Sequence, residues 1–378
     1  MKLTAAAFLV VVGSGLSRAD LEVLERRRVL QAADQYLLQA PQTLTAFHAP
    51  RSAGGPHDFF SEGDYWWPDP QNPTGPFVRR DGESNPNNFA EHRRAMIRLS
   101  VEVPALTSAW LLTKESRYAE HARRHLRGWF VDETTRMNPN LQFAQAIHGV
   151  TTGRGTGIID TIHLIEVARA IEVLHRGQAL PDAEFAPIRR WFAEYVDWVT
   201  TSKNGIEERD AKNNHGTCWV MQVAAFSSLT GDRAKLDMCR TRFKTVLLPT
   251  QMAADGSFPL ELERTKPYGY SLFNLDAMAT TCEILGGDAW TFALPDGRGM
   301  RRALAFMAPY VRDKSRWPHP KDVEYFDEWP MRHPALLWGG AALHEPGYVD
   351  LWKTLGGDSN VEEVVRNFFI RQPLLWAH

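Results

Sequence analysis

NNHGTCWVMQVAAFSSL, Asn213 to Leu229, joins two amides and an imidazole to a mostly apolar run. From Trp219 to Leu229 the run reads as a buried helix, and Asn ahead of such a run is a preferred N-cap. Asn213 alone meets that need. Asn214 and His215 exceed it, which marks them as candidates for a site.

The same apolar recurrence at helical spacing continues in both directions. It predicts helices over Leu21–Leu38, Glu91–Leu112, Tyr118–Phe130, Gly157–His175, Asp182–Thr201, Gly216–Leu229, Ala234–Leu248, Ser271–Leu285, Met300–Val311, Pro334–Leu343 and Val361–Arg371. Pro104 falls inside one of them and predicts a kink. Strand alternation is scarce and no fixed period repeats, so the chain reads as all-α, with helical hairpins arranged as a toroid or a large irregular bundle. Between the first two helices, Pro41 to Asn88 is irregular and rich in Pro, Gly, Asp and Asn; a loop of that length is usually functional.

The 378 residues are 44% hydrophobic and 23% charged, an ordinary globular composition. A formal net charge of −2 gives no electrostatic footprint for nucleic acid. Residues 1–19 read as a signal peptide: Lys2, an apolar core from Leu3 to Val12, then Ser17-Arg18-Ala19 as a small-x-small cleavage site. The core is too short to span a membrane and no later segment reaches the length, so residues 20–378 are expected as one secreted, membrane-free domain, periplasmic or extracellular. Cys218, Cys239 and Cys282 sit in helical patterns and read as buried small hydrophobes; no metal-binding spacing of Cys or His is present.

Four segments carry more polar chemistry than their local structure requires. YWWPDP (Tyr65–Pro70) with FVRRDG (Phe77–Gly82) offers the flat faces of Trp66 and Trp67 and the forks of Arg79 and Arg80. MNPNLQFAQAIHG followed by TTGRGTGIID places Gln145 and Arg154 among Gly-rich turns. NNH is the third. The fourth, DGSFPLELERTKPYGYS (Asp255–Ser271), holds Glu261, Arg264, Lys266, Tyr268 and Tyr270 in a short extended or looped run. No G-x-S-x-G elbow, P-loop or HExxH occurs. Amide, imidazole and guanidinium donors suit β-elimination on a uronic acid, where the carboxylate next to the abstracted proton must be neutralised. A Tyr phenol beside an Arg cation is expected to ionise more easily than usual and to serve as base and then acid. A glycoside hydrolase built on Asp210, Glu261 and Glu263, or a non-catalytic sugar-binding protein, stands as the alternative.

Taken together, YWWPDP…GPFVRRDGESNP, MNPNLQFAQAIHG…GRGTGIID, NNHGTCW and ELERTKPYGYSLFNLDAM resemble the alginate lyase superfamily over nearly the whole chain after the leader. Within it the likeness is greater to polysaccharide lyase family 38, which includes alginate and glucuronan lyases, than to the periplasmic enzymes of family 5. The resemblance implies an (α/α) toroid of about six to seven helical hairpins and an acidic polysaccharide substrate, with no cofactor and no metal. By motif it implies Asn214 and His215 as carboxylate neutralisers, Arg264 as their support and Tyr270 as the proton-transfer residue, with Tyr268, two positions away, left open by spacing. Trp66, Trp67, Arg79, Arg80, Gln145, Arg154, Glu261, Lys266 and Tyr268 are the expected substrate contacts. Oligomeric state is not legible.

Overall fold

The computed structural model describes residues 16–377, so the apolar core of the expected leader lies outside them. Its cleavage site falls at the start of the first helix, where Ser17 and Asp20 cap each other's backbone N–H.

The helices are α1 (Arg18–Tyr36), α2 (Glu91–Thr113), α3 (Ser116–Phe130), α4 (Leu164–Arg176) and α5 (Asp182–Thr201). They continue with α6 (Lys203–Arg209), α7 (Asn214–Thr230), α8 (Arg233–Arg242), α9 (Leu248–Gln251) and α10 (Pro259–Leu262). The last are α11 (Pro267–Leu285), α12 (Met300–Arg312), α13 (Pro334–Ala342), α14 (Pro346–Lys353) and α15 (Glu362–Asn367). Helices α2, α4, α7, α11 and α13 pack each on the next as the inner layer; α1, α3, α5, α8, α12 and α14 cover them from outside. The layers make an (α/α) toroid.

Sequence explains which helix goes where. Every residue from Gly216 to Ser227 in α7 and from Ser271 to Cys282 in α11 is buried, as expected of helices apolar on all sides. In α3 the buried set is Tyr118, Ala119, Ala122, Leu126, Trp129 and Phe130 with two histidines, one stripe at helical spacing, so α3 lies outside. By length and composition α2 could cross a membrane, contrary to the expectation that no later segment does; it is mostly buried as a core helix. Pro104 sits within it without ending it.

Several boundaries differ from those expected. Gly155–His163 is 3-10 helix before α4 begins, Phe243–Leu247 is a π-turn between α8 and α9, and the last predicted helix shortens to α15. Helix α6 has no apolar period to announce it. The Pro41–Asn88 segment contains β1 (Phe60–Glu62), β2 (Trp66–Trp67) and β3 (Val78–Arg79); β2 and β3 pair antiparallel, and β1 pairs in parallel with β4 (Phe143–Ala146). The three cysteines are free and buried, as read from their patterns.

Candidate active site

The first turns of inner helices α7 and α11 and the β2–β3 ribbon converge on one place. Between them is a cleft of about 240 Å³, lined among others by Tyr65, Trp66, Arg79, Gln145, Arg154, Asn213, Asn214, His215, Arg264 and Tyr270. In the ribbon Trp66 stands opposite Arg79, and cross-strand partners share a face, so these two line the cleft. Trp67 and Arg80 do not. Their register puts them away from it, where the Arg80 guanidinium lies 4.8 Å over the Trp67 ring and Trp67 Nε1 donates to the Glu83 carbonyl at 3.0 Å.

Arg154 reaches the cleft from the turn before α4. A Cβ on Gly155 would meet Glu207 Cβ at 2.7 Å and the Asn204 carbonyl at 2.8 Å, so glycine is what lets this turn press against α6. Arg154 donates to the Gln145 carbonyl at 3.1 Å and to Gln145 Oε1 at 2.8 Å, and no carboxylate pairs with it among the described residues. Burial, then the positive charge of Arg79, holds its pKa below the usual guanidinium value. A cation left so is a receptor for an anion.

At the start of α7 Asn213 occupies the N-cap position in extended conformation, but its side chain makes no capping bond, against the expectation. Glu261 caps instead. Its carboxylate accepts from Asn214 N and from Asn214 Nδ2, both at 2.7 Å, and it is 1% exposed. Burial raises its pKa while the two Asn214 bonds pull the other way. Glu261 therefore holds Asn214 and does not itself line the cleft, where the sequence had put it among the expected substrate contacts. His215 Nδ1 bonds Glu208 Oε1 at 2.7 Å, and Gly216 follows because a Cβ there would meet the Ala211 carbonyl at 2.3 Å.

Helix α10, a turn over 263–266 and the first turn of α11 replace the expected extended or looped run, and α11 separates the two tyrosines. Residues two apart on a helix point to opposite sides. Tyr268 is fully buried, packs on Trp317 and Phe326, and donates its hydroxyl to the Tyr310 carbonyl at 3.1 Å, so it is a core strut and not a cleft residue. Tyr270 faces the cleft, its hydroxyl 2.5 Å from that of Tyr65 and 3.5 Å from Arg264 Nη2. The Arg264 guanidinium lies 4.5 Å over the Tyr270 ring and binds Asp81 through Nε at 3.1 Å and Nη2 at 2.9 Å. Burial pushes the Asp81 carboxyl up, but Arg264 and Arg79 bring it to about 2. Contrary to the expected easier ionisation, the Tyr270 phenol is pushed well up, by burial and then by Tyr65, which together outweigh Arg264. Lys266 is buried against Glu324 at 3.1 Å and does not line the cleft.

The far wall was not anticipated. Asp64, Glu363 and Arg366 form it, with Arg366 donating to Asp64 at 2.6 Å and to Glu363 at 3.3 Å. Burial raises Asp64, but Arg366 and Arg93 overcome it and hold the carboxyl at about 2. Tyr65 and Asp81 stand inside motifs noticed for their Trp and Arg neighbours; Glu208 had no signal. Among the described residues no group of three or more His, Cys, Asp or Glu side chains is placed to hold a metal ion.

A two-layer toroid whose cleft gathers arginines, an Asn-His pair and a tyrosine defines a polysaccharide lyase. The alginate lyase family model matches residues 43–317, and the chain belongs to that family. It is similar to an alginate lyase from Bacteroides ovatus, with 30% identity over 92% of this chain and 93% of that one and a TM-score of 0.81. Alginate lyase A1-III from Sphingomonas species A1 shares the fold at 17% identity, over 91% of this chain and 92% of that one, with a TM-score of 0.53. A variant of A1-III complexed with a tetrasaccharide is similar over 87% of each chain. Comparison with curated proteins gives no match.

Proposed function

We propose that the protein cleaves an acidic polysaccharide of mannuronate, guluronate or glucuronate units by metal-independent β-elimination, after export directed by residues 1–19. The observation that carries this is Arg154: a half-buried guanidinium with no carboxylate paired to it among the described residues, facing the same cleft as Asn214, His215 and the paired Tyr65 and Tyr270 hydroxyls. A uronate carboxylate supplies the missing charge. With it neutralised, Tyr270 in its phenolate form takes the proton on the adjacent carbon, the bond to the glycosidic oxygen breaks as the carbon–carbon double bond forms, and the resulting phenol returns the proton to the departing oxygen. Arg264 is already shared with Asp81 and bears on Tyr270 more than on the carboxylate.

Hydrolysis finds no support in the carboxylates. Asp210 and Glu263 are exposed and Glu261 is enclosed by Asn214. Asp64 and Glu363 line the cleft but share Arg366 on one wall, whereas hydrolysis needs carboxyls on both sides of the bond. The test is ultraviolet absorbance of products from polymannuronate, polyguluronate and glucuronan. Absorbance from an unsaturated chain end is expected with at least one polymer and is expected to persist in EDTA; new reducing ends without it, or loss with the chelator restored by a divalent ion, would refute the proposal.

Trp66 is expected to stack on a sugar ring beside the cleavage point. Trp66→Ala should keep its melting temperature and raise KM by roughly two- to tenfold, the equivalent of about 0.5–1.5 kcal/mol. A lower melting temperature with unchanged KM would make it a clamp for the ribbon.

A further inference from the structure

Resting on that reading, we propose that Glu208 is the positioning residue of the reaction, fixing which nitrogen of His215 meets the substrate. Glu208 lies on α6, outside every motif, and is 2% exposed. A carboxylate taken that far from water has to be matched by a donor, and here the donor is His215 Nδ1 at 2.7 Å. With Nδ1 held, the ring can turn only Nε2 to the cleft. A hydrogen bond from Nε2 to a uronate carboxylate, made while Nδ1 still donates to Glu208, requires both ring protons. Glu208 then supplies the counter-charge from behind, much as a second carboxylate orients a metal-bound or catalytic histidine.

The surroundings leave this part to Glu208. Glu261 of α10 spends its two oxygens on Asn214, Arg154 bonds Gln145, and Arg264 bonds Asp81 while lying over Tyr270. Each is a charged or titratable neighbour of the cleft around His215, and none of these bonds reaches its Nδ1.

The experiment combines nitrogen-15 NMR of labelled histidine in the free enzyme with steady-state kinetics of Glu208→Leu and Glu208→Gln. In the wild type Nδ1 of His215 is expected to be protonated; Glu208→Leu should lose that preference, and its kcat should fall roughly 10–100-fold with KM within about twofold. Glu208→Gln keeps an acceptor without the charge and should restore the Nδ1 proton but only part of the rate. Unchanged His215 signals in Glu208→Leu, or a folded Leu variant with wild-type kcat, would overturn the proposal. If the wild type eliminates no polyuronate, the functional reading fails, and the NMR arm still decides whether Glu208 sets the ring.

Discussion

Tyr270→Phe is expected to lose roughly 10²–10⁴-fold in kcat, the range for a group that both takes and returns the proton, with its melting temperature kept. The hydroxyl it deletes bonds Tyr65 at 2.5 Å and stands 3.5 Å from Arg264, both in the cleft, while the ring stays under the guanidinium. Tyr268→Phe is the matched control. It removes a buried bond to the Tyr310 carbonyl, so it should cost about 0.5–1.5 kcal/mol of stability and leave kcat near wild type. The reverse pattern would return the proton transfer to Tyr268. The pH profile adds a second check, because burial and Tyr65 hold the Tyr270 phenol neutral well above its ordinary range. The phenolate fraction then grows about tenfold per pH unit from neutral into the alkaline range, and kcat/KM should climb with it. A plateau already reached at pH 7 would assign the base role to His215.

The tyrosine pair shows where the sequence was legible and where it was not. Helices apolar on every side, α7 and α11, were recognisable because burial on all faces leaves no polar stripe to hide. The start of α11 was not: Pro267 opens the helix four residues before the apolar pattern begins at Ser271, and with that turn missing, Tyr268 and Tyr270 looked alike. The partners that tune the site come from far along the chain. Tyr65 is 205 residues from Tyr270, Asp81 is 183 from Arg264, and Asp64 is 302 from Arg366. No local pattern encodes such pairs, so charged residues such as Glu261 and Lys266 passed for substrate contacts when their charges are spent inside the protein.

Asn214→Ala tests how the remaining donors work. Its amide is held by Glu261 through Nδ2, and an amide nitrogen carries a second proton to offer. A donor fixed in advance within a buried cleft gains most when charge develops on the carboxylate, since no reorganisation is needed at that moment. The loss should therefore fall on kcat, by roughly 10²–10³-fold, with KM changed only a few-fold. Truncation also strips one of two bonds from a carboxylate that is 1% exposed, which should cost about 1–3 kcal/mol and lower the melting temperature. Glu261→Gln separates the two effects. It keeps a side-chain acceptor for the Asn214 backbone N–H and removes the charge, so it should spare more stability than Asn214→Ala while still loosening the amide and lowering kcat. Raised KM with unchanged kcat in Asn214→Ala would show a residue that binds the ground state and the transition state equally, and the neutralising role would pass to Arg154 and His215.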